Sequence, residues 1–156
     1  MASYTKSSLE ELKTTDGLHR LPSIGKILDP KKNPSVNKLR TSVQNGLPYS
    51  VFEEVQKGID LPQSQLADIL GIPARTITRR KEQNRFTSIE SDRLYRVVRI
   101  LAFTIDTLGS VEKARTWLKN PNRGLGGEIP LTYLDTDIGS RQVEDVLLRI
   151  RYGIYG

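Results

Sequence analysis

The segment Gln63–Lys81 constrains the fold more than any other, because one glycine and one proline punctuate two short amphipathic helical patterns. Leu66, Ile69 and Leu70 mark the inward face of the first pattern, and Ile77 marks that of the second. Ala67 suits a close helix crossing, where a longer side chain would push the axes apart. Gly71 accepts the left-handed conformation that ends a helix, and Pro73 fits the start of the next, which needs no amide there. The spacing predicts a helix-turn-helix. Its second helix turns Arg75, Thr76, Thr78 and Arg79 outward, with Arg80, Lys81 and Arg85 following and Gln63 at the start of the first helix. The window 75–85 thus holds five cations against the single acid Glu82. Such a face suits phosphates and the edges of bases in a major groove. Arg80 falls where an inward apolar residue is expected, so it either snorkels to solvent or turns outward as a further phosphate contact.

The rest of the chain is organised around this pair. A helix is expected from about Ser50, capped by its hydroxyl with Glu53 as capping-box partner, and with Val51, Phe52, Val55 and Ile59 inward. Ser88 or Ser91 opens a longer helix whose Leu94, Val97, Val98, Leu101, Ile105 and Leu108 follow a helical period up to Gly109. So wide a stripe calls for a cover, either the carboxy-terminal segment or a second copy of the chain. Ser110 starts another helix with Val111, Ala114, Trp117 and Leu118 inward. A last helix is expected over about 140–152, with Val143, Val146, Leu147 and Ile150 on one face, and Asp137 is a candidate cap near its start. It precedes a short tail bearing Ile154, Tyr155 and Gly156. Before it, residues 120–130 form a Pro- and Gly-rich loop. Its glycines resemble a phosphate cradle only weakly, since no strand precedes them and no Lys-Ser/Thr pair follows.

Residues 1–47 read as an irregular, partly disordered arm rich in Ser, Thr, Lys and Pro. Short helices are expected at Ser8–Lys13 and Val36–Gln44, and Lys26, Lys31, Lys32, Lys38 and Arg40 are available to an anionic partner. The net charge of +6 over 156 residues is concentrated there, with eight basic against four acidic residues in 1–48. A cysteine-free chain excludes disulfides, thiol catalysis and zinc fingers. The single histidine, His19, has no neighbours that complete a metal or nucleophile site, and Asp135 and Asp137 lack a catalytic companion. Neither enzymatic activity nor a cofactor or metal is therefore expected. No apolar run is long enough to span a bilayer and no secretion signal is visible, so a cytoplasmic protein is expected.

The carboxy-terminal half resembles a known family. Trp117-Leu118, Asn120-Pro121-Asn122, Gly126-Gly127, Ile129-Pro130-Leu131, Leu134-Asp135-Thr136, Gly139, Val143 to Leu147 and Arg151-Tyr152-Gly153 are similar to the toxin-binding domain of the Xre/MbcA/ParS antitoxins. A helix-turn-helix immediately upstream is also that family's arrangement. The resemblance covers roughly 97–156 and leaves residues 1–47 outside it; with the helical patterns it gives an all-α chain with an arm at 1–47, a helix-turn-helix domain at 48–95 and a small helical toxin-binding domain at 96–156. It also implies a RES-domain partner that consumes NAD, blocked at its pocket by this domain, and an operator in the chain's own operon; a homodimer is expected from the wide stripe and from the symmetric half-sites such motifs read. Arg123, Glu128, Arg149, Arg151, Tyr152, Ile154, Tyr155 and Gly156 are the candidate toxin-binding residues. A phage-type repressor without an enzyme partner is the alternative. It accounts for the middle of the chain and leaves the loop and tail unexplained.

Overall fold

A computed structural model of the chain describes residues 21–28 and 36–153, whose regular structure is helical throughout. The expected helix at 8–13, His19 and the tail residues Ile154, Tyr155 and Gly156 lie outside the described residues. Eight α-helices are described: α1 (Pro22–Leu28), α2 (Val36–Asn45), α3 (Tyr49–Ile59), α4 (Gln63–Leu70), α5 (Ala74–Gln83), α6 (Ser88–Leu108), α7 (Val111–Lys119) and α8 (Asp137–Tyr152). Two short 3-10 turns, Arg123–Leu125 and Pro130–Tyr133, sit between the last two. All-α is therefore the fold class.

Helix α6 is the spine. Its 21 residues make a rod of about 31 Å at 1.5 Å per residue. Leu94, Val97, Val98, Ile100, Leu101 and Ile105 are fully buried along it. Helices α2, α3 and α7 pack against it, and α8 covers it most extensively. The wide apolar stripe thus meets its cover within the chain, through Val143, Val146 and Leu147 of α8. The boundary expected at 95/96 falls inside this continuous helix, so a single core serves both halves.

The segment read as an arm contributes to that core. Leu21, Ile24, Leu39 and Leu47 are buried, and α2 runs close to the expected Val36–Gln44. Helix α1 went unforeseen because Pro22 and Gly25 read as turn residues among the apolar positions Leu21, Ile24, Ile27 and Leu28. Its start is held from another element, since Glu54 of α3 accepts from the Ser23 and Ile24 amides at 2.7 and 2.8 Å. The expected Ser50–Glu53 capping box does not form. Helix α3 begins at Tyr49 behind Pro48 without a side-chain cap, and the Ser50 hydroxyl pairs with that of Ser23 at 3.0 Å. At the other end of α3, Arg115 donates to the Lys57 and Gly58 carbonyls and Lys119 to that of Asp60. Two cations of α7 thereby satisfy carbonyls that a helix terminus leaves open.

The long helix opens at Ser88, as expected, and the last helix starts three residues before the expected Ser140. Helix α6 is capped by Thr87, with a complete capping box to Glu90, while the Ser91 hydroxyl accepts from the Leu47 amide at 2.8 Å. Helix α8 starts at Asp137, capped by Thr136, whose hydroxyl accepts from the Gly139 amide at 3.0 Å. Asp137 instead occupies the first turn and pairs with Arg141.

Candidate nucleic-acid and protein interfaces

The helix-turn-helix forms as the spacing predicts. Leu66, Ala67, Leu70, Ile72 and Ile77 are buried, and Ile69 partly so. Gly71 takes φ 64°, which lets the turn reverse without Cβ strain. Its amide donates to the Asp68 carbonyl and that of Ile72 to Ala67, closing α4 before Pro73 precedes α5. On α5, Arg75, Thr78, Arg79 and Lys81 are exposed, Thr76 is half-buried, and Gln63 is exposed at the start of α4.

Arg80 takes neither of the two courses expected of it. Its Nε donates to Glu90 at 2.6 and 3.1 Å and its NH1 to the Gln83 side chain at 2.9 Å. The two charged side chains are only 14% and 11% exposed. Burial by itself would raise the Glu90 pKa, but the Arg80 guanidinium and the Thr87 amide and hydroxyl outweigh it, holding the carboxyl below its ordinary range. Arg85 is also engaged, donating to the Asn45 and Gly46 carbonyls at the end of α2. The structure thus separates the seven outward candidates of the second helix and its flank. Arg75, Thr76, Thr78, Arg79 and Lys81 face outward to different degrees, whereas Arg80 and Arg85 bind protein groups. Glu90 was missed, although the Thr87-x-x-Glu90 pattern signals a capping box.

The second surface is built from the loop after α7 and the last turns of α8. In residues 122–128 the chain folds on itself around Asn122. The amides of Leu125 and Gly127 donate to its carbonyl, Gly124 to its side chain, Gly126 to Arg123 and Glu128 to Leu125. These amides are therefore directed into the loop, which removes the phosphate cradle. The loop rests on α8, with Gly124 so close that an added Cβ would lie 2.9 Å from a Val146 methyl. Arg123 and Glu128 are exposed on this loop, and Arg149 and Tyr152 are exposed on α8.

Arg151 differs from them. It pairs with Asp106 of α6 and stacks 5.2 Å over the Phe103 ring. Its carboxylate partner, Asp106, was missed because the pair is separated by 45 residues. Trp117, expected inward, packs on the core by one side and lines an open groove of about 580 Å³ with Leu108, Thr116, Asn120 and Pro121. Ile138 is 75% exposed in the first turn of α8. Among the described residues there is no cluster of three or more potential metal ligands, and no helix long and apolar enough to cross a membrane.

Comparison with known proteins assigns both surfaces to one type of architecture. Residues 38–99 match the profile of the Antitoxin Xre-like helix-turn-helix domain. Residues 104–153 match that of the Antitoxin Xre/MbcA/ParS C-terminal toxin-binding domain. The chain is 33% identical over 116 residues to an Antitoxin Xre of Yersinia enterocolitica, covering 73% of this chain and 78% of the relative. It is 34% identical over 118 residues to an Antitoxin Xre of Photorhabdus laumondii, covering 74% and 80%. A third Antitoxin Xre, from Pseudomonas putida, is 41% identical over 86 residues, or 54% of each chain.

Proposed function

The chain belongs to the Xre family of antitoxins, and from that premise we propose that it neutralises a RES-domain toxin by occluding the pocket in which that enzyme consumes NAD. The same chain, as a homodimer on symmetric half-sites, binds operator DNA and represses the operon that encodes both proteins. Arg75, Thr76, Thr78 and Arg79 reach base edges or the groove rim, Lys81 holds phosphate, and Gln63 approaches the backbone from the start of α4. On the toxin side, Arg123, Glu128, Arg149, Tyr152 and the tail 154–156 make contact, with Arg151 supporting the end of α8.

The observation that carries this reading is the order of the two matched domains along one continuous core. A loop closed on its own hydrogen bonds loses little entropy on docking, which favours a rigid toxin-facing surface. Co-expression of the chain with the product of the adjacent gene, then affinity capture and an NAD-consumption assay on the complex and on the released partner, tests the proposal. The expected result is a partner that destroys NAD alone and not in the complex. Absence of a co-purifying partner, with NAD untouched, would leave the repressor activity standing alone.

A further inference from the structure

We propose that Arg80 is a positioning residue, which clamps the DNA-facing helix α5 onto α6 through Glu90 and sets the angle at which Arg75, Thr76, Thr78 and Arg79 are presented. Its consequence for recognition rests on the DNA-binding reading above, while the clamp itself rests on geometry alone. Of the ten residues of α5, only Ile77 is buried. A helix attached by one apolar side chain can pivot about it, because apolar contact has little directionality. A second point of attachment fixes the direction, and Arg80 supplies it one turn further on. Its Nε meets both Glu90 oxygens, and its NH1 reaches Gln83 at the end of the same helix.

Glu90 is itself held at the start of α6, where its carboxylate accepts from the Thr87 amide at 2.9 Å. The line of contacts therefore runs from the recognition helix into the longest rigid element of the molecule. A planar guanidinium held through Nε to Glu90 and through NH1 to Gln83 restricts approach angle as well as distance, which an aliphatic side chain at this position would not do. Turning Arg80 out to a phosphate would strand a carboxylate that is 11% exposed. Desolvation opposes that exchange. Specificity for base edges depends on helix orientation, whereas attraction to phosphates depends mainly on charge. Loosening the clamp thus lowers discrimination between sequences more than it lowers total affinity.

The test uses the full chain and two substitutions. E90Q keeps one oxygen for the Thr87 amide but removes the charge and turns the second acceptor into a donor; R80M keeps the apolar stem and removes the guanidinium. In the free protein, hydrogen exchange of the α5 amides is expected to accelerate about tenfold in both variants, while α8 exchange stays unchanged. Binding is then measured across a salt series on the promoter duplex upstream of this chain's own gene and on an unrelated duplex of equal length. The promoter preference is expected to fall about tenfold in R80M with the wild-type salt slope retained, whereas K81A lowers the slope by about one on both duplexes. A slope lowered by about one in R80M, with equal loss on both duplexes, makes Arg80 a phosphate contact and overturns the clamp. Unchanged α5 exchange in E90Q overturns it as well. If the wild-type chain shows no promoter preference, the DNA-binding reading fails while the exchange measurement still decides the clamp.

Discussion

Replacing Arg151 with methionine separates support of α8 from direct contact with a partner. The Asp106 side chain is 6% exposed and that of Arg151 22%, so water reaches the guanidinium but scarcely the carboxylate. Removing one member of a fully buried pair costs about 3–5 kcal/mol, and the partial exposure of Arg151 brings the expected loss for R151M to about 2–3 kcal/mol. Loss of the cation over Phe103 adds no more than about 1 kcal/mol. D106N removes the carboxylate from a guanidinium that keeps other contacts and access to water, and costs less, about 1–2 kcal/mol. The double variant is expected to recover at least about 1 kcal/mol of the summed single losses. Urea unfolding measures these differences as midpoint shifts at constant slope. A loss under about 0.5 kcal/mol for R151M, or additivity in the cycle, refutes the reasoning. Toxin capture supplies the functional half. Support through Asp106 predicts that capture weakens in both single variants, whereas direct contact predicts that D106N retains it.

Other substitutions test other parts of the fold. Leu39→Ala, in the segment whose sequence reads as an arm, is expected to cost about 2–4 kcal/mol of unfolding free energy by the same urea assay; a value near zero removes α2 from the core. Gly139→Ala brings a Cβ to 2.1 Å from the Tyr133 carbonyl oxygen, so α8 must shift, with about 1–3 kcal/mol lost and toxin capture reduced. Because the Glu90 carboxyl is held below its ordinary range, its contribution is complete above about pH 4.5 and disappears as pH falls through the lower folded value. E90Q is expected to flatten that acid limb of a stability profile, and an unchanged limb assigns it to other carboxylates.

The helix-turn-helix was legible because its signals are local. Gly71, Pro73, Ala67 and the apolar positions around them each state a requirement of backbone or packing within a few residues. Arg80 was not legible, since its direction depends on a carboxylate ten residues away. The same holds for Arg151, which sequence pattern places among surface cations and Asp106 draws inward. Leu21 just before α1, Ile24 within it and Leu39 of α2 each join a core built elsewhere. Of the two, α2 was expected close to its observed span, whereas Pro22 and Gly25 disguised the seven-residue α1 as a turn. The start of α8 fell three residues before the expected one, because the Thr136 hydroxyl, rather than Asp137, meets the Gly139 amide.

Because α6 runs unbroken from Glu90, beside the DNA-facing helix, to Asp106, beneath the end of α8, the two surfaces have a common rotational phase. An insertion of one residue within it would turn everything downstream by about 100° relative to everything upstream. Exchange of toxin specificity between related chains is thus confined to crossovers that preserve helical phase and the buried stripe together. A graft that breaks either would deliver a well-formed surface aimed in the wrong direction.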